Sequence, residues 1–181
     1  MTPMLPHLAT RTVAMPVEFF AALQTAAHDT RNPLAIDSVR DAGYRAGQAL
    51  FEAFADWTLD RGEPDPDALP HHRFVALASV FFAELGWGEL TFTPVSDSVM
   101  ALDSDAWSEA DGSGSGCLVS TGLFAGFFGR LADAPIAVLE VECRDGGCDR
   151  CRFLLGSIDV MGYVHEAMER GIPYERAAAS A

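Results

Sequence analysis

All four cysteines of this chain fall between positions 117 and 151: Cys117, Cys143, Cys148 and Cys151. Two carboxylates, Glu140 and Glu142, stand just before the second of them. Thiolates gathered over so short a stretch suggest a metal site, because Zn²⁺ accepts both sulfur and oxygen in tetrahedral geometry. The last three cysteines bracket the loop from Arg144 to Arg150, whose Gly146-Gly147 pair lets the backbone turn sharply enough to bring two ligands onto one ion. Two ligand sets follow from the residues: Cys117, Cys143, Cys148 and Cys151, with a C-x2-C clasp, or the same set with Glu140 in place of Cys148. On an ideal strand Ile136, Val138, Glu140 and Glu142 share one face while Cys143 lies on the other. The Glu140 set therefore needs the strand to bend or end by Cys143.

Composition narrows the setting. The chain has 181 residues and is 49% hydrophobic, with 12 phenylalanines, which suits one domain with a substantial core. Net charge is −14, and the sequence contains arginine but no lysine. Such an acidic chain lacks the clustered cations that nucleic-acid phosphates require, so no nucleic-acid partner is expected. No apolar run approaches the ~20 residues of a membrane span. No signal-peptide pattern opens the chain, so a cytoplasmic location is expected. Thiols there stay reduced, which favours metal over disulfides.

Periodicity suggests three parts: a helical lead-in over 1–36, a main domain over 37–171 and a tail over 172–181. Asn32-Pro33 reads as a break. A long helix then runs from a cap at Asp37 or Ser38 to Leu59, with Gly43 and Gly47 one turn apart, a spacing that suits close helix packing. Further helices are expected over 70–85, 117–131 and 158–170, and strands over 89–95, 98–102, 134–143 and 151–155. The tail from Tyr174 is expected to fray. The expected class is α+β, with an antiparallel sheet of about four strands packed against helices.

These motifs carry a resemblance. Gly116-Cys117 ahead of a helix containing Gly122 and Gly126, the E-x2-C of Glu140 and Cys143, the glycine-bearing loop and the C-x-F of Cys151 and Phe153 resemble the 4-vinyl-reductase-type domain. That small-molecule-binding domain is related in fold to core subunits of the TRAPP complex and to the sensor domains of phenol-responsive activators. The helix segment from Arg40 to Gly47 extends the likeness, which spans roughly residues 37–165. The resemblance implies a TRAPP-subunit-like fold and zinc bound by Cys117, Glu140, Cys143 and Cys151, with Cys148 as the alternative ligand. It further implies a pocket for a hydrophobic or aromatic small molecule, for which Phe54, Trp57, Phe74, Phe81, Trp87, Phe92, Trp107, Phe128 and Val138 are the candidate lining. Phenol sensors hold the phenol hydroxyl with His and Trp side chains, for which His71, His72, Trp87 and Trp107 are candidates.

The expected function is a stand-alone, zinc-stabilised, sensor-like domain, homodimeric and reporting to an effector protein. Two other readings stand beside it: an enzyme or accessory protein of tetrapyrrole (bacteriochlorophyll) metabolism, and an assembly scaffold with a vestigial pocket. Catalysis is not expected, because the sequence shows no nucleophile motif and no dinucleotide fingerprint. No Walker motif or helix-turn-helix pattern follows the domain, so transcription activation is not carried over.

Overall fold

A computed structural model describes residues 15–29, 33–110 and 116–181. The segment before position 15, the Asn32 break and the Gly-Ser loop at 111–115 lie outside the described residues. In order, the elements are α1 (Val17–Asp29), α2 (Pro33–Leu59), α3 (His71–Glu84), β1 (Thr91–Pro94), β2 (Met100–Ser104), α4 (Leu118–Ala132), β3 (Ile136–Glu142), β4 (Cys151–Ser157), α5 (Ile158–Glu169) and α6 (Tyr174–Ala179). The strands form one antiparallel sheet in the order β1-β2-β4-β3. The class is α+β, as expected.

The sheet separates two cores. Inward-facing Leu102, Phe153, Leu155 and Val138 meet an aromatic cluster from α2, α3 and α4 built on Phe54, Phe81, Phe82, Phe124 and Phe127. Neighbouring rings in that cluster meet edge-on or tilted, for example Phe54–Phe81 at 5.3 Å and Phe124–Phe153 at 5.0 Å between centroids. Such pairs add about 0.5–1.5 kcal/mol each beyond the burial of their area. On the other face Ala101 and Leu154 meet Met161, Val164 and Ala167 of α5 and Ala177 and Ala178 of α6.

Helices α2 and α4 touch backbone to backbone. A methyl group added to Gly43 or Gly47 would collide with the carbonyls of Val119 or Leu123, and one on Gly122 or Gly126 with those of Arg40 or Tyr44. The four glycines thus interleave along one seam, each making room for the opposite helix. Glycine weakens a helix interior by roughly 0.5–1 kcal/mol relative to alanine, and the close contact along α4 offsets that.

Two expectations are corrected. Helix α2 starts at Pro33, four residues before the expected cap. Proline fits the first helical position because its missing N–H would have no intrahelical partner there. The tail from Tyr174 is not frayed: it forms α6, with Ala177 and Ala178 buried against α5. Its Tyr174 hydroxyl donates to Glu142 and sits 3.4 Å from Arg152 Nη1. Arg152 in turn grips both oxygens of Asp103 at 2.6 and 2.7 Å. The strands and remaining helices shift by a few residues at their ends; Ser157 caps α5 through the Val160 amide at 3.3 Å.

Gly126→Ala is expected to destabilise the protein by about 2–3 kcal/mol, since backbone cannot yield to the new methyl as a side chain would. Gly146→Ala, where a methyl meets nothing within 4 Å, is expected to lie within about 0.5 kcal/mol of wild type. Equilibrium unfolding in guanidinium chloride checks both.

Candidate functional site

Cys117 stands at the N-cap of α4, Cys151 opens β4, and Glu140 and Cys143 come from the end of β3. One irregularity brings the last pair together. The β3–β4 register runs regularly to Glu140↔Phe153, then skips Val141 and resumes at Glu142↔Arg152. This β-bulge reverses the pleat. Glu142 therefore turns to the outer face to meet Tyr174 and Arg150, and is separated from Glu140, with which an ideal pleat would have grouped it. Cys143, one residue on, returns to the side of Glu140. One ligand atom from each of Cys117, Glu140, Cys143 and Cys151 lies within 4.8 Å of the others.

The surroundings are tight and polar only at the centre. Cys117 and Cys151 are fully buried. Glu140 Oε2 accepts the Cys117 backbone N–H at 2.7 Å. Gly116, at φ +77°, allows this approach: a methyl there would fall 2.9 Å from that oxygen, and the positive φ itself favours glycine. Glu140 Oε1 is buried with no hydrogen-bond partner. An orphaned carboxylate oxygen beside three thiols is an acceptor suited to a cation. Four such atoms around one Zn²⁺ at about 2.0–2.3 Å would stand roughly 3.3–3.8 Å apart. The cluster's spacing accommodates that, so the donor set fits a zinc ion.

Without an ion the four groups cannot all be charged. Burial pushes the Glu140 carboxyl up to about 7, against the pull of the Cys117 amide. The Cys117 thiol is pushed up because it donates to Cys143 and Cys151 and is buried near Glu140. The Cys151 thiol is pulled well below its ordinary value by the hydrogen bonds it accepts from Cys117 and Cys143. The metal-free cluster thus concentrates one negative charge on Cys151.

Cys148 lies outside the group. It is exposed in the loop, its backbone N–H donating to the Cys143 carbonyl at 3.1 Å.

The candidate pocket residues divide. Phe54, Trp57, Phe81, Trp107 and Val138 are packed in the aromatic core. Trp57 Nε1 donates to Glu84 at 3.0 Å and Trp107 Nε1 to Ser120 Oγ at 2.7 Å. Trp87 stacks on Trp107 at 5.5 Å and borders a shallow hollow with Phe20 of α1. Phe74, Phe92 and Phe128 line a cavity of about 350 Å³ between α3, the end of α4 and the sheet. Val75, Met100, Leu131 and Ile136 complete its apolar wall, and His71, Ser96, Asp97 and Ser98 form its polar side. Its volume falls at the small end of ligand pockets, about 300–1,000 Å³. His72 is exposed and borders none of these hollows.

Sequence reasoning missed Glu109. Its buried carboxylate accepts the Val119 and Ser120 amides at the start of α4 at 2.8 and 2.7 Å, the Ser120 hydroxyl, and Gln24 of α1 at 2.7 Å. Burial raises its pKa against those four bonds. The only sequence signal was an acidic residue a few positions before a helix, with the intervening loop hiding the spacing.

An antiparallel sheet between helical layers, with a glycine seam behind it, is a fold that known proteins share. Residues 109–157 match the 4-vinyl reductase domain, so the chain carries a segment of that family, and the segment spans all four clustered ligand residues. The fold is similar to that of the phenol-responsive sensory domain of the transcription activator PoxR with phenol, at a TM-score of 0.64 and 16% identity over 83% of this chain and 78% of that one. It is also similar to a vinyl-4-reductase family protein from Methanocaldococcus jannaschii, at a TM-score of 0.53 and 14% identity over 82% and 85%. A trafficking protein particle complex subunit 3 from Naegleria fowleri, covalently bound to palmitic acid, matches at a TM-score of 0.56 and 12% identity over 77% and 91%. Comparison with curated protein sequences gives no significant match.

A thiolate held by neighbouring thiols contributes stability above its unfolded pKa, and this is lost as pH falls through the lowered folded value. Metal-free protein is therefore expected to keep an ultraviolet thiolate absorbance below about pH 7, where ordinary cysteines are protonated. Cys151→Ala should remove it, and an absorbance that vanishes below the ordinary thiol range in wild type would contradict this charge distribution.

Proposed function

We propose that this domain binds a small aromatic or hydrophobic molecule in the cavity between α3, α4 and the sheet, and that zinc held by Cys117, Glu140, Cys143 and Cys151 stabilises its frame. The observation that carries this reading is the cavity itself: a largely apolar hollow with its polar groups confined to the His71 and Ser96–Ser98 side. A benzene-sized ligand would gain from burial against Phe74, Phe92 and Phe128, while His71 would accept or donate one hydrogen bond to fix its orientation. The likeness to the PoxR sensory domain with phenol supports a phenol-like ligand.

The ion would do structural work. Four protein ligands leave no open position for water. They come from α4, β3 and β4, so the metal would tie the helix that walls the cavity to the sheet beneath it. Binding would be reported to a partner protein by a homodimer. Exposed Phe19, Tyr44, Leu59 and Val80 on α1, α2 and α3 support such an association.

Two outcomes are expected. Purified protein should contain one zinc per chain by elemental analysis, retained in Cys148→Ala and lost or loosened in Glu140→Ala; a metal lost in Cys148→Ala and kept in Glu140→Ala would replace the proposed ligand set with an all-cysteine one. Phenol and toluene should each raise the melting temperature, because a ligand that binds only the folded state stabilises it. Leu131→Trp, which fills the cavity, should abolish both responses. His71→Ala should weaken phenol more than toluene, by up to about tenfold, the worth of one hydrogen bond. Absence of any response to either compound in the zinc-loaded protein would rule out this cavity as an aromatic site.

A further inference from the structure

A second hollow of about 430 Å³ lies between the turn joining α3 to β1 and the loop joining β2 to α4, and it shares no lining residue with the first. Its chemistry is different. Every ionisable side chain that lines it is a carboxylate: Glu89, Asp103 and Asp105. Asp103 is already matched, since Arg152 binds both of its oxygens. Glu89 and Asp105 are exposed, and no arginine among the described residues pairs with either.

The hollow also contains an unsatisfied group. Ser104, at the end of β2, is only 4% exposed, and its Oγ has no hydrogen-bond partner. A buried hydroxyl left unpaired costs about 1–3 kcal/mol, so the site holds a standing demand for a polar partner. Gly88 keeps that hydroxyl uncovered. At φ +125° it takes a conformation that favours glycine, and a methyl there would sit 3.2 Å from Ser104 Oγ and 2.7 Å from the Ala106 carbonyl. Both oxygens are left open on that side by the missing side chain.

We propose that this hollow binds an organic ammonium ion. An ammonium group carries three N–H donors and no acceptor. The site offers the complementary set: a hydroxyl, a carbonyl and two carboxylates without a cationic partner. A bare divalent ion fits less well. Among the described residues, ligand atoms close to within 4.8 Å of one another only in the cysteine cluster, so Glu89, Asp103 and Asp105 do not converge on one point. The volume also leaves room for a carbon chain beside the charged group. A net charge of −14 adds long-range attraction for a cation. Because two carboxylates are free, a short diamine satisfies the hollow better than a monoamine.

The test is a titration of ¹⁵N-labelled, zinc-loaded protein with 1,4-diaminobutane at constant ionic strength, followed by amide chemical shifts. Saturable shifts are expected at Gly86, Gly88, Thr91 and Ala106, with Ser98 and Leu131 of the first cavity unmoved. The double variant Glu89→Gln/Asp105→Asn changes only exposed side chains and should weaken binding by about tenfold; Ser104→Ala should weaken it as well. Absence of saturable shifts overturns the proposal. So do equal shifts with neutral 1,4-butanediol, which would mark a site indifferent to charge, equal shifts with magnesium chloride, which would mark an inorganic-cation site, and unchanged affinity in the double variant.

Discussion

The α2–α4 seam is the contact on which the rest of the molecule depends. Four glycines let the two helices approach until backbone meets backbone. Close approach draws the flanking aromatic side chains of α2, α3 and α4 into one continuous cluster, because rings that would otherwise span a gap now meet at contact distance. It also fixes where α4 begins. Cys117 and the amides of the first turn of α4 are thereby set at the edge of the sheet, facing Glu140 and Glu109. Interiors packed to this density have little room to adjust, so a displacement of α4 would move both the thiol cluster and the wall of the aromatic cavity.

The thiol cluster then depends on a single extra residue. Val141 interrupts the β3–β4 ladder, and the reversal of the pleat assigns Glu142 to one face and Cys143 to the other. On the outer face Glu142 joins Arg150 and Tyr174, beside the paired Arg152 and Asp103, in a polar network that anchors α6. On the inner face Glu140 and Cys143 complete the four-residue group. One bulge therefore serves a structural network and a candidate metal site at once. The electrostatic strain is confined to the inner group, where a raised carboxyl, a raised thiol and a lowered thiol lie side by side in an apolar setting.

The two larger hollows divide the surface by polarity. One is lined by Phe74, Phe92 and Phe128 and is apolar apart from one side. The other is lined by carboxylates, a hydroxyl and glycines. Both lie against β1 and β2, which meet α3 at opposite ends of the strands: His71 opens the helix beside the first, and Gly86 follows its end beside the second. The length of α3 sets the distance between them.

Much of this was legible in the sequence. Cysteine spacing singled out the right stretch, helical periodicity located α3, α4 and α5, and alternation located four strands, because these signals rest on local geometry repeated along the chain. The Gly43, Gly47, Gly122 and Gly126 pattern announced a close helix pair for the same reason. The sequence could also state the condition for Glu140 to join Cys143, namely that the strand must bend. What it could not decide was which aromatic residues fill the core and which border a cavity, since Phe54 and Phe74 look alike on one helical face or another; only packing places the first among its neighbouring rings and leaves the second at an opening. Nor could it foresee the partners of Glu109, the docking of α6 through Tyr174 or the orphaned hydroxyl of Ser104. Each of these depends on segments far apart in the chain meeting at one point, a relation that tertiary structure alone creates.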